Sequence, residues 1–255
     1  MKVQFASDLH LEMAANVAWL QSHPLEVIGD ILVLAGDTAY LEESIPNWFL
    51  DWASDSYQQV LLISGNHEFY HYGDIAKRGD SWQWMLRKNV GYYYNKVVNI
   101  DNVDFTLTTM WSHISEVDMF QVQRGLNDFY QILCNTELLT PEDFNAEHER
   151  CKDFIMKSVA ESMAEHIVVV THHVPTLKYV APQHQGSTQL GAFTVEMGNT
   201  IADSQLDYWI YGHSHTNVDA EIGTTIIVSN KFGYIANGEQ NNRFDNKRII
   251  DINTI

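Results

Sequence analysis

Five places in the chain set oxygen and nitrogen donors directly after a short apolar run. Asp8 and His10 follow KVQFAS, Asp37 follows ILVLAG, and Asn66 and His67 follow VLLISG. His172 and His173 follow IVVVT, and His213 and His215 follow YWIYG. The set holds two carboxylates, one amide and six imidazoles, with no thiolate among them. Such donors suit Mn²⁺, Fe, Co or Zn²⁺ better than the softest metals. They outnumber the roughly four ligands of one tetrahedral ion, which points to two ions and a shared bridging group. A carboxylate has two oxygens and can bridge; Asp37, beside Gly36 on the central run, is the candidate. Paired cations about 3.5–4 Å apart clamp the attacking and leaving oxygens of phosphate esters.

Local spacing supports convergence. Alternation along an extended DLH segment would put Asp8 and His10 on one side and turn Leu9 away, and His213 and His215 would share a side across Ser214. Gly36, Gly65 and Gly212 precede three of the groups and would let the backbone turn sharply beside an ion.

The elements that must position these residues are short and β-branched. The runs KVQFASD, DILVLAGD, QVLLISGN, DFTLTTMWS, HIVVVTHH, DYWIYGHSH, TTIIVSN and KRIIDI read as strands, near-continuous in apolar character and so buried on both faces. Helix-like stretches lie between several of them, including 43–54 and 141–164, the second with Thr140 as N-cap and acids in its first turn. Alternating strands and helices predict an α/β fold. A hairpin around Gly223 and the closely spaced later strands predict a layered sandwich with more than one sheet. In such folds the carboxyl ends of strands gather along one edge, where ligands bind.

The totals bound the function. The chain has 255 residues, 45% of them apolar, with 15 Lys and Arg against 33 Asp and Glu for a formal charge of −18. A basic footprint for nucleic-acid backbone is absent, so dedicated nucleic-acid binding is not expected. Cys134 and Cys151 make no disulfide framework and read as free thiols of a reducing compartment. The apolar run at the N-terminus is too short for a signal sequence, and no stretch approaches the roughly 20 apolar residues of a membrane span. The expectation is a cytoplasmic protein without membrane attachment.

DLH, GD, GNHE, THH and GHSH, in that order, resemble the calcineurin-like metallophosphoesterases, over about residues 3–234. Each piece alone is weak; the ordered set after strand-like runs is specific. The resemblance implies one domain over residues 1–255, a four-layer αββα sandwich of two mixed β-sheets flanked by helices. It implies one metal on Asp8, His10 and His215, a second on Asn66, His172 and His213, and Asp37 shared. A hydroxide held between the metals would attack phosphorus in line. His67 matches the catalytic histidine, which is not a ligand, and would stabilise the transition state or protonate the leaving oxygen. His172 is favoured over His173 as ligand, with His173 behind it. The segment GDTAYLEES lacks the second acid and the arginine that many phosphoprotein phosphatases of the family carry soon after GD. That departure favours a compact bacterial-type member acting on a small-molecule phosphomonoester or phosphodiester.

Two alternatives stand beside the enzyme: a catalytically silent scaffold with this fold, and a phosphoprotein phosphatase. Filled ligand positions and His67 argue against the first. Glu68 and His71 are candidates to orient ligands through hydrogen bonds, and His113, Asn127 and Asp128 to reach substrate from loops. Segment 113–131 and the loop APQHQGSTQLG are expected to frame the pocket. His23, His148, His166 and His184 have no supporting neighbours; Tyr92–Tyr94 read as strand packing, and the acids from Glu142 to Glu149 as one solvated helix face.

Overall fold

The computed structural model describes residues 1–41, 45–180 and 185–254. Strands β1 (Lys2–Ala6), β2 (Ile31–Ala35) and β3 (Gln59–Ile63) are the first three apolar runs. Helices α1 (Ala14–Ser22) and α2 (Asn47–Ser56) connect them. Then come β4 (Gly73–Asp74), β5 (Trp82–Arg87), β6 (Val90–Tyr94), β7 (Lys96–Ile100) and β8 (Val103–Leu107). Short helices α3 (Met119–Gly125) and α4 (Asp128–Gln131) lead to the small strands β9 (Ile132–Cys134) and β10 (Glu137–Leu138). The long helix α5 (Pro141–Glu161) precedes β11 (His166–Val170), α6 (Gly198–Ala202) and β12 (Tyr208–Tyr211). The chain closes with β13 (Ala220–Ile222), β14 (Thr225–Ser229) and β15 (Ile249–Asp251).

Two six-stranded mixed sheets result, ordered β15-β1-β2-β3-β6-β5 and β13-β14-β12-β11-β8-β7. In each, four central strands run parallel and both edge strands antiparallel. Alternation along the strands explains the layers. Ile31, Val33 and Ala35 join Phe105, Val168, Val170 and Ile210 in a core between the sheets. Leu32 and Leu34 face the other way and pack with Leu20 of α1 and Phe49 of α2. Near-continuous apolar runs are thus strands buried on both faces, in the expected sandwich. A small third sheet, β10-β9-β4, was not anticipated.

The helix bounds shift from the sequence reading. Helix α2 starts at Asn47, because Pro46 takes the cap position (φ −53°, ψ 133°); Glu43 and Ser44 lie outside the described residues. Helix α5 ends at Glu161 rather than Ala164. Its capping box is complete: Thr140 Oγ1 accepts from Asp143 N–H, and Asp143 Oδ2 accepts from Thr140 N–H. Such a cap contributes about 1 kcal/mol. Its acids are not all solvated. Glu147 is buried, accepting from the Tyr94 hydroxyl at 2.6 Å and pairing with Arg150. The expected hairpin forms between β13 and β14, with Gly223 left-handed at φ 63°. Cys134 and Cys151 carry free thiols, and among the described residues no helix is long and apolar enough to cross a membrane.

Candidate metal centre

Asp8, Asp37, Asn66, His172 and His213 each follow a parallel central strand within a few residues, so one edge of the sandwich collects them. The backbone there is unusual. Asp8, His10, Asp37, His213 and His215 all have φ between 46° and 74°. Left-handed non-glycine residues are uncommon, and clusters of them mark sites where the surroundings over-determine the conformation. The extended alternation expected for DLH and HSH is therefore wrong in mechanism. Asp8 and His10 still converge and Leu9 still enters the core, but through left-handed turns. Gly36 is left-handed at φ 87°, and a Cβ there would collide with the His172 ring; a Cβ on Gly65 would collide with the Asp37 carboxylate. Gly212 is not left-handed; its need is close approach alone.

Among the described residues three groups of donors form, Asp8–His10–His215, Asp37–His172–His213 and His10–Glu12–His67, each with ligand atoms within 4.8 Å of one another; the first two contain an aspartate. His10 Nε2 lies 3.3 Å from His215 Nε2, while His10 Nδ1 meets Glu12 at 2.8 Å and His215 Nδ1 meets Glu239 at 2.6 Å. With each Nδ1 donating to its carboxylate, the two Nε2 atoms point at one another across a gap that a proton on one of them, or a cation, must fill. The second cluster repeats the pattern. His172 Nδ1 donates to Ala35 O at 2.9 Å, and its Nε2 lies 3.2 Å from His213 Nδ1 and 3.3 Å from Asp37 Oδ2. Converging lone pairs need a proton or a cation between them.

Asp37 stands between the clusters. Its Oδ1 accepts the His67 backbone N–H at 2.9 Å, and its Oδ2 lies 3.3 Å from His172 Nε2 and 3.8 Å from His10 Nε2. Asn66 donates from Nδ2 to Asp128 at 3.0 Å, which leaves its buried Oδ1 without a partner. An oxygen so placed fits a cation.

The charges follow. Burial opposes protonation of His172, but the Asp37 carboxylate raises it to about 9. Burial likewise opposes His215, and Asp8 with Glu239 raises it to about 10. Burial and the neighbouring His173 and His172 push His213 well below the usual range. Despite burial, His172 and His67 hold Asp37 well below an ordinary carboxyl.

His67 sits beside the clusters rather than in either Asp-containing one. Its Nδ1 is 3.3 Å from Glu12 Oε1, its Nε2 is 3.2 Å from the Tyr234 hydroxyl, and its ring stacks on Tyr70 at 4.2 Å. Burial works against its protonation, yet Asp37 and Glu12 raise its pKa. His173 is buried with neither ring nitrogen bonded, packed on His213 at 4.3 Å.

Glu68 ties the loops together. It accepts from the backbone N–H of Asp37, Thr38 and Gly65 at 2.9, 2.8 and 2.7 Å. Burial and the nearby Asp37 push it up to about 7. Asn127 and Asp128 line a cavity of about 720 Å³ at the site. His71 and His113 do not line it: both are exposed, packed on Tyr40 at 4.5 Å and near His148 at 5.6 Å. Ser187, Gln189 and Leu190 of the loop APQHQGSTQLG frame the cavity, whereas residues 181–184 lie outside the described residues. Glu12, Tyr70, Tyr234 and Glu239 were missed. Glu12 alone carried a signal, two residues beyond His10 in DLHLE.

A family model described as calcineurin-like phosphoesterase matches residues 1–217. The chain is 25% identical over 279 residues to uncharacterized protein L509 of Acanthamoeba polyphaga mimivirus, covering 99% of this chain and 97% of that one. Among solved structures it is similar to phosphopantetheinyl hydrolase PptH from Mycobacterium tuberculosis. That match has a TM-score of 0.65 at 16% identity and covers 98% of this chain and 95% of the other. The chain belongs to the calcineurin-like phosphoesterase family, metal-dependent hydrolases of phosphoric esters.

Proposed function

We propose that the protein hydrolyses a phosphomonoester or phosphodiester of a small molecule, using two metal ions at the strand ends. Asp8, His10 and His215 would hold one ion and Asn66, His172 and His213 the other, with Asp37 shared between them. The observation that carries this reading is the pair of clusters of converging ring nitrogens with Asp37 Oδ2 between them. The donor set accommodates Mn, Fe, Zn or Co. When bound, such ions neutralise phosphoryl charge and lower the pKa of a water.

The chain's own groups do the rest. Protonated His67 presents Nε2–H toward the cavity, where a leaving oxygen would take the proton, and Glu12 on Nδ1 stabilises the charged ring. A positioned acid of this kind contributes about 10²- to 10⁴-fold in rate. Asp128 fixes the Asn66 amide so that its oxygen faces the site. Glu239 and Glu12 fix the tautomers of His215 and His10, as carboxylates behind metal-binding histidines do.

The test is hydrolysis of chromogenic phosphate mono- and diesters with added Mn²⁺, alongside metal analysis. A phosphopantetheinyl ester joins the panel, being the chemistry for which the M. tuberculosis structure is named. Two ions per chain with turnover is the expected result. Two bound ions without turnover on any ester, with any divalent metal, would favour the scaffold reading.

A further inference from the structure

We infer that the substrate is a phosphodiester, singly charged at its phosphoryl group and bearing uncharged organic arms. The inference rests on the hydrolytic reading above.

The cavity of about 720 Å³ is within the range of small-molecule sites and far larger than a phosphoryl group. Its apolar wall includes Leu126, Val174, Val180, Leu190 and Phe193. Its polar wall is largely neutral, with Tyr40, Asn127, Gln131, Ser187 and Gln189. Charged groups on the lining are acids, Asp37, Asp128 and Glu239, besides the site histidines. None of the described lining residues is Lys or Arg. The undescribed segments 42–44 and 181–184, whose sequences are EES and APQH, add none.

Two cations near the lining in sequence point elsewhere. The Arg124 guanidinium sits over the Phe120 ring at 5.4 Å. Lys231 is fully buried, its Nζ donating to Thr216 O at 2.8 Å and lying 4.0 Å from the Tyr211 ring centroid. An arginine fork or lysine ammonium is the usual partner of a phosphate dianion. Here Asp8 and Asp37 already offset about half the charge of two divalent ions, since a bound cation and its ligands set the local charge together. Glu239 adds negative charge at the cavity wall. A monoester dianion would bring a second charge that, among the lining side chains outside the ligand set, only the His67 imidazolium meets. A diester monoanion would not, and its two arms have room against the apolar and neutral walls.

The reaction balances simply. Water oxygen bonds to phosphorus, and the bond from phosphorus to one arm's oxygen breaks with its electron pair. That oxygen takes the His67 proton and leaves as an alcohol. The water supplies the protons that restore His67 and reach solvent. The product monoester is a dianion at neutral pH and suits the cavity less well than the substrate, so cleavage stops after one arm.

Bis(p-nitrophenyl) phosphate and p-nitrophenyl phosphate share a leaving group and separate the cases. With Mn²⁺, kcat/KM for the diester should exceed that for the monoester tenfold or more, with one nitrophenolate released per diester. Gln131→Arg, which adds a cation to the wall, should raise the monoester rate relative to the diester by about fivefold. Calorimetry on zinc-loaded protein gives a readout independent of turnover. Phenylphosphonate, a dianion, should bind no more than threefold tighter than methyl phenylphosphonate, a monoanion. A monoester rate equal to or above the diester rate, or a tenfold tighter dianion, overturns the inference. If no ester is hydrolysed with any divalent metal, the hydrolytic reading fails, and the phosphonate pair still decides the charge preference.

Discussion

Glu12 Oε1 lies 3.3 Å from His67 Nδ1, and the same oxygen lies 2.8 Å from His10 Nδ1. One carboxylate thus sets the tautomer of a candidate metal ligand and of the candidate acid together. Both rings then present Nε2 to the site, His10 toward His215 and His67 toward Tyr234. Glu12→Gln removes the charge and keeps the shape. Its kcat should fall about 10- to 100-fold, the usual cost of losing a carboxylate behind a functional histidine. Esters with poor leaving groups should lose most, because they depend most on the acid, and 2,4-dinitrophenyl esters least. Glu12→Asp should recover part of the loss. Leaving-group series measured beside metal content are the check; an equal loss on every ester would place Glu12 with the metals alone.

His67→Ala should keep both ions and lose about 10²- to 10⁴-fold in kcat. Its ring nitrogens contact Glu12 and Tyr234, and it belongs to neither aspartate-containing donor group, so binding at those two groups should survive. Metal stoichiometry with steady-state kinetics decides it, and unchanged turnover would remove His67 from the chemistry.

The place of a donor in the fold was legible where it directly follows a strand, because the strand end fixes where it lies. Asp8, Asp37, Asn66, His172 and His213 lie at strand ends as expected. Residues that enter from coil were not legible. Tyr234 and Glu239 follow β14 in a segment with no periodic pattern, yet they bond His67 and His215. Glu12 shares a stretch with Asp8 and His10, but His67 lies 55 residues away, and only the fold joins them. Glu147 looked solvated because a helix read alone does not reveal Tyr94 of β6. Strands β5 and β6 were not read as a pair, since WQWMLRKNVGYYY interrupts its apolar residues with charges and ends in no donor. Left-handed Asp and His residues carry no signal at all in a single sequence.

Asp37→Asn should lower occupancy at both sites together. Asp37 Oδ2 faces His172 and His10 alike, and the amide would keep the bond to the His67 N–H while removing the shared charge. Metal analysis after dialysis at fixed free Mn²⁺ is the measurement. Loss of one ion with the other still tightly held would reject the bridge.

The protons on the imidazoles predict a pH dependence with opposite slopes in the presence and absence of metal. In metal-depleted protein, burial opposes but carboxylates raise His172 to about 9 and His215 to about 10, against an ordinary 6.5. Between those values the folded chain holds protons that the unfolded chain has lost. That stability is fully present below pH 6.5 and is lost as pH rises through 9 to 10. Lys231 works the other way: burial lowers it to about 7 from 10.5, so the unfolded chain holds the extra proton above 7. Two raised groups against one lowered group leave a net loss of stability as pH rises from 7 to 9. Urea midpoints of EDTA-treated protein should therefore fall across this window. Metal must displace the same protons, so the stabilisation given by a fixed Zn²⁺ or Mn²⁺ concentration should grow with pH. Calorimetric titrations in two buffers of different ionisation enthalpy should show protons released on binding at pH 7.5. A midpoint that rises with pH in the EDTA-treated protein, or binding without proton release, would mean that His172 and His215 are neutral before metal arrives.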